Sequence, residues 1–245
     1  MARLFVGLSL YLLSFITLAM SAVNNGYIPF TYQGSEYRTW YVAYTPPGSF
    51  PAHRPLLALH GGPGFSHNYM DSIKDLASTR PVIFYDQMGN GRSTHLDTQP
   101  DSIWTVDLFL CELKNVIEFF GYKSFDILGH SWGGMLAAEY ALLQLPGLNK
   151  LVLSDSLPAM ELWTQSQIQL LSTFPQDVQE GVMAGFSDPV RYRAALRVFF
   201  GSYGCTLKPW PAPLNASYDT LFADPTVPIK MCGSLLPPAL YPTGN

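Results

Sequence analysis

The residues best suited to chemistry lie in Asp126–Gln144, "DILGHSWGGMLAAEYALLQ". Within it, Gly129-His130-Ser131-Trp132-Gly133 sets a serine between two glycines, after an apolar run and before one rich in Ala and Leu. In a strand–turn–helix setting this pattern raises a nucleophilic hydroxyl on a sharp turn. The glycines let the backbone pass close beneath the serine, and the following helix aims unpaired N–H groups at a reacting oxygen. Ser131 is therefore expected to attack an acyl carbon.

Such an attack needs donors for the negative charge that forms. "HGGPG", His60 to Gly64, follows the apolar run "PLLALH" and can present backbone N–H groups at close range. An oxyanion hole is expected from the N–H of Gly61 or Gly62 together with that of Trp132, the residue after the nucleophile. A third glycine-rich turn, "YDQMGNGRS" from Tyr85 to Ser93, reads as structural. Its G-x-G lacks the spacing of a dinucleotide fingerprint.

The base is harder to find. All five histidines, His53, His60, His67, His95 and His130, precede Ser131. His60 belongs to the oxyanion loop and His130 points off the turn, which leaves His67 as the upstream stand-in. Asp155, at the end of "KLVLSD", is a strand-end turn residue that lies near enough to serve as an alternative acid. No Cys/His group has metal spacing, so neither a metal nor a cofactor is expected.

The elements that must position these residues follow from the apolar pattern. Tyr27–Tyr32 and Tyr37–Tyr44 flank Gly34-Ser35 and predict an antiparallel hairpin. Short apolar strands at Pro55–His60, Pro81–Asp86, the run before Ser131, and Lys150–Asp155 alternate with helices near His67–Ser78, Asp101–Phe120 and Trp132–Leu145. That alternation predicts a mostly parallel sheet with helices on both faces. From Glu161 to about Tyr203 the sequence is helical without strands, and a proline-rich stretch follows from Pro209. A helical cap over the mouth of the sheet is expected.

The 245 residues carry a net charge of −4 with no basic run, which leaves no electrostatic footprint for nucleic acid. Residues 1–21 read as a secretory signal peptide: Arg3, an apolar run from Leu4 to Met20, and small residues before a cut after Ser21. Secretion and no membrane attachment after cleavage are expected, with an uncleaved anchor as the alternative, since the apolar run approaches spanning length. Asn215-Ala216-Ser217 is an N-glycosylation acceptor expected in a loop, and the pairing of Cys205 with Cys232 is left open. Cys111 is expected in a buried helix.

"HGGPG", "DQMGNGRS" and "GHSWGG", in this order and spacing, resemble the proline iminopeptidase family of α/β-hydrolases from about Tyr27 to about Pro228. "FPQDVQEG" and "LKPWPAPL" are similar to its fungal members. The resemblance implies an α/β-hydrolase core over 22–157, a helical cap over 158–228 and a divergent end over 229–245. It implies a serine peptidase that releases N-terminal residues, often proline, from small peptides or amides through an acyl-enzyme on Ser131. The implied oxyanion donors are Trp132 with Gly61 or Gly62, and Trp132 would also help shape a pocket for a pyrrolidine ring. A related amidase or esterase, and a catalytically dead binding scaffold, are the alternatives. The family's acid follows a later strand and its histidine follows the last one. Neither is matched here, nor is the cap glutamate that binds the substrate amine, for which "MCGSLL" stands. The final strands are thus expected to be missing, the chain inactive as written, and "KLVLSD" an unpaired apolar edge prone to aggregation.

Overall fold

The computed structural model describes residues 22–46, 53–96 and 98–232. The expected leader at 1–21 and the end from 233 lie outside the described residues. Six strands form one mixed sheet: β1 (Ala22–Tyr32), β2 (Ser35–Thr45), β3 (Leu56–Leu59), β4 (Val82–Tyr85), β5 (Phe125–His130) and β6 (Leu148–Ser154), in the order β1-β2-β4-β3-β5-β6. The opening hairpin and the β2–β4 pair are antiparallel, and β4, β3, β5 and β6 run parallel. β3 and β4 are buried along their whole length, which accounts for their unbroken apolar sequences.

Two apolar layers sandwich the sheet. Leu57, Leu59, Ile83 and Tyr85 face α1 (Val106–Phe120) and α2 (Trp132–Leu142), whereas Ala58, Val82 and Phe84 face Met70 and Ala77 of a 3-10 helix, His67–Ser78. On α1, Leu108, Phe109, Leu113 and Val116 are fully buried, each contributing roughly 1.5–3 kcal/mol through burial. The helix expected over Asp101–Phe120 is divided. A 3-10 turn covers Asp101–Ile103, and α1 starts afresh at Thr105, whose hydroxyl accepts the Leu108 N–H. Gly121, at φ 64°, closes it.

Beyond β6 lie α3 (Met160–Leu171), α4 (Gln176–Ala184), α5 (Pro189–Tyr203), α6 (Ala212–Ala223) and α7 (Thr226–Cys232). The first four share a separate apolar cluster around Val182, Tyr192, Leu196, Phe199, Tyr218 and Leu221. Val227 and Met231 of α7 pack into the sheet's own core instead. The proline-rich stretch after Pro209 is not the loop its composition suggested. Pro211 and Pro213 sit at the start of α6, where a missing N–H costs no intrahelical bond. Asn215 consequently lies in a helix, its amide donating to Trp210 O and accepting from Arg197. Cys111 is in α1, only partly buried, and Cys111 and Cys205 are free thiols. Among the described residues no helix is long and apolar enough to cross a membrane.

Among the described residues β6 pairs only with β5, so its far edge is open. Val152 and Leu153 are 46% and 51% exposed there, with Leu142 and Leu143 of the α2 end exposed nearby in sequence. An open apolar edge recruits other strands. Leu153→Lys is therefore expected to raise the soluble monomer fraction on size-exclusion chromatography. Because Leu153 is half exposed, the thermal midpoint should hardly move.

Candidate active site

Ser131 stands between the end of β5 and the start of α2 at φ 53°, ψ −119°. For a residue with a Cβ this backbone costs of order 1–3 kcal/mol, and the surroundings must enforce it. Three segments do so. The Ser131 N–H donates to Ser154 O at the end of β6, and its carbonyl accepts from Gly134 N–H and from the Ser156 hydroxyl at 2.8 Å. The flanking glycines are sterically required. A Cβ on Gly129 would come within 2.2 Å of Gly133 O, and one on Gly133 within 2.2 Å of Leu59 O. The strand, the helix and β3 meet too closely for any side chain.

The loop His60–Gly64 packs directly against this turn. A Cβ on Gly61 would touch Ser131 Cβ and His130 Nδ1, both at 3.0 Å. Gly62 holds φ 118°, and a Cβ there would fall 2.5 Å from Gly64 N. The two glycines are not equivalent. Gly61 N–H donates to the Tyr69 hydroxyl at 2.7 Å, whereas the N–H groups of Gly62 and Trp132 have no hydrogen-bond partner among the described residues.

Four of the five histidines are committed elsewhere. His60 is completely buried; its Nδ1 lies 3.0 Å from Gly61 O and its Nε2 accepts the Gln87 N–H. Burial lowers its pKa to about 4, so it is neutral. His67, expected as the stand-in base, is 2.7 Å from Asp86 Oδ1 and packs its ring at a tilt against Trp40, so it serves the Asp86 turn and not Ser131. Asp86 also accepts the N–H groups of His67 and Arg92. Burial alone would raise its pKa, but the His67 hydrogen bond and charge hold it down. His95 pairs with Asp224. His130 Nδ1 is 2.7 Å from the Tyr69 hydroxyl, and its Nε2 is 3.9 Å from the exposed Asp155 carboxylate. Burial lowers the His130 pKa, partly opposed by Asp155. Among the described residues, Ser131 Oγ has no hydrogen-bond partner, and no group of three His, Cys, Asp or Glu side chains could hold a metal.

The turn Tyr85–Ser93 does more than reverse the chain. Gln87 donates from its amide to His60 O and accepts the Trp132 indole N–H, both at 2.8 Å, so one side chain ties the oxyanion loop to the first residue of α2. Next to it, Met88 N–H donates to Glu112, a fully buried carboxyl on α1 that also accepts the Thr39 hydroxyl at 2.6 Å. Burial lifts Glu112 to about 8 against those two hydrogen bonds. Sequence reading missed Tyr69, Gln87 and Glu112. Only Glu112 left a signal, a charge four residues after Leu108 on the apolar stripe of α1.

Ser131 opens onto two cavities. The larger, about 810 Å³, is walled by aromatic cap residues including Trp163, Phe199, Tyr203 and Trp210. The smaller, about 200 Å³, is apolar and bounded by Trp132, Met135 and Leu157. Gly62 and Trp163 border both.

A serine elbow at the end of a parallel strand, faced by a glycine loop, defines a class of hydrolase. Residues 54–193 match the family model for the alpha/beta hydrolase fold. The chain is 35% identical over 197 residues to a proline iminopeptidase of Lactobacillus delbrueckii subsp. bulgaricus, covering 78% of this chain and 64% of that protein. The crystal structure of a proline iminopeptidase from Mycobacterium smegmatis is 35% identical, with a TM-score of 0.71, covering 83% of this chain and 69% of that one. That of VinJ is 36% identical, with a TM-score of 0.74 and the same coverage. The chain belongs to the proline iminopeptidase family of α/β-hydrolases. It spans just under two thirds of the length of the curated relatives it matches first.

Two buried groups bound the stability of this site in pH. Glu112 is protonated more readily folded than unfolded, so its contribution is present near pH 5 and is lost as pH rises toward 8. His60 is deprotonated more readily folded, so its contribution is present above about 6.5 and is lost as pH falls toward 4. Glu112→Gln is expected to flatten the alkaline fall of the thermal midpoint between pH 5 and 9, at most about 1.4 kcal/mol for each pH unit crossed. An unchanged slope would mean the carboxyl is ionised throughout.

Proposed function

We propose that this site cleaves the N-terminal peptide or amide bond of small substrates, proline among the residues released, with Ser131 as nucleophile. The observation that carries this reading is the enforced conformation of Ser131, a strained serine at a strand–helix junction opening on a cavity. Oγ forms a bond to the acyl carbon and gives up its proton, while charge moves onto the carbonyl oxygen. The N–H groups of Gly62 and Trp132 are the donors we assign to that oxygen; Gly61 is engaged by Tyr69. Collapse expels the amine, which takes up a proton. Water then cleaves the ester, restoring the serine and releasing the N-terminal residue as its acid. The relatives named as proline iminopeptidases support the substrate class.

One observation favours a second reading for the 245-residue chain by itself: His60, His67, His95 and His130 each direct at least one ring nitrogen to a group other than Ser131. An elbow without a base binds its ligand and turns it over slowly, because loss of one triad member costs ~10⁴–10⁶ in turnover. Hydrolysis of proline p-nitroanilide is expected at least ~10⁴-fold below that of the Lactobacillus delbrueckii relative. A proline boronic acid should still form a tetrahedral adduct, visible by ¹¹B NMR and absent in Ser131→Ala. A comparable rate that disappears in Ser131→Ala would refute the slow scaffold. An adduct indifferent to that substitution would refute the nucleophile. We also place the protein on the secretory route on the strength of residues 1–21. A mature N-terminus at Ala22 is the expected result of sequencing secreted material, and an intact Met1 would contradict it.

A further inference from the structure

We propose that Tyr69 is a positioning residue that locks the His60–Gly64 loop to the serine elbow and couples both to the helical cap. The proposal rests on the reading of Ser131 and the glycine loop given above.

Tyr69 lies in the 3-10 helix His67–Ser78 and borders the larger cavity, its ring edge-on to that of His130 at 5.2 Å. Its hydroxyl makes two contacts of 2.7 Å, one to Gly61 N and one to His130 Nδ1. A backbone N–H can only donate, so the phenol oxygen accepts from Gly61; its single proton has no other acceptor in contact among the described residues, and we assign it to Nδ1. Nδ1 is then bare, and neutral His130 carries its proton on Nε2, the nitrogen 3.9 Å from Asp155. Burial raises the Tyr69 pKa, so this proton is retained. One hydroxyl thus bridges the loop after β3 and the last residue of β5.

The other end of Tyr69 is held by the cap. Its backbone N–H donates to Ser217 Oγ at 3.0 Å, and the Ser217 hydroxyl donates to Ser66 O at 3.0 Å. Ser217 is fully buried on α6. A continuous path therefore runs from α6 through Tyr69 to Gly61 and His130, the neighbour of the nucleophile. By taking up the Gly61 N–H, the phenol leaves Gly62 as the loop's available donor. Without the hydroxyl, the buried Gly61 N–H would lose its partner, and the loop would have reason to turn.

Tyr69→Phe tests this, since it keeps the ring and removes only the oxygen. In the wild-type chain, ¹⁵N spectra of the imidazoles should show His130 as a single neutral tautomer, protonated on Nε2, with Nδ1 accepting a hydrogen bond. In Tyr69→Phe the Nδ1 signal should shift and the tautomers should mix. Affinity for a proline boronic acid should fall about tenfold, the worth of one hydrogen bond, while affinity for L-proline, which carries no tetrahedral oxygen, stays unchanged. Ser217→Ala, made in the cap, should produce the same changes at smaller size, and it carries the test if Tyr69→Phe does not fold. A wild-type His130 protonated on Nδ1, or a boronate affinity untouched in both variants, overturns the proposal. A wild-type chain that does not engage the boronate through Ser131 overturns the nucleophile reading instead, and the tautomer spectra then decide the role of Tyr69.

Discussion

A serine at positive φ is an energetically unfavourable object, and most of what is specific in this molecule exists to hold one. The carbonyl of Ser154 fixes its N–H, Ser156 fixes its carbonyl, and three backbones crowd so tightly around it that Gly129 and Gly133 admit no side chain. The strain is local, but its compensation is not. It draws on the burial of β3 and most of β5 and on their parallel ladder with β6, which together far exceed the few kcal/mol stored at the turn.

Around that turn lies a shell of buried polar groups, each satisfied by a group from a distant part of the chain. Gln87 joins His60 to Trp132, Asp86 gathers His67 and Arg92, and Glu112 supports Met88 from beneath. Such networks are costly to leave half made, because an unpaired buried donor or charge loses its hydration without recompense. They therefore favour a single arrangement of the two glycine-rich turns. The same shell occupies His60 and His67. Imidazoles that appear available in the sequence are spent on holding loops in place.

The cap is tied into this shell as well as resting on it. It has its own aromatic core, yet Ser217 reaches the backbone of the 3-10 helix, and Val227 packs beneath the strand ends. Cap position and loop geometry are thus parts of one hydrogen-bonded unit.

Much of this was legible from residue patterns. Continuous apolar runs marked the buried strands, the glycines around Ser131 marked the elbow, and "HGGPG" marked the loop that faces it. Those signals are local: a tight turn or a strand buried on both faces constrains the residues that form it. Other readings failed where the signal was local and the cause was not. His67 seemed a candidate base by its place after "HGGPG", but Asp86, nineteen residues on, holds it. The prolines before Asn215 suggested a loop, yet they open a helix because the cap supplies a face on which to pack it. The sequence alone determined that a strained serine would face a glycine loop, because close backbone approach permits no other residues. Only the tertiary structure decided which of the two loop N–H groups is left unoccupied, and that Tyr69 joins Gly61 to His130. Those outcomes depend on one hydroxyl that bonds Gly61 eight residues before it and His130 sixty-one residues after it, and chain spacing carries no record of such partners.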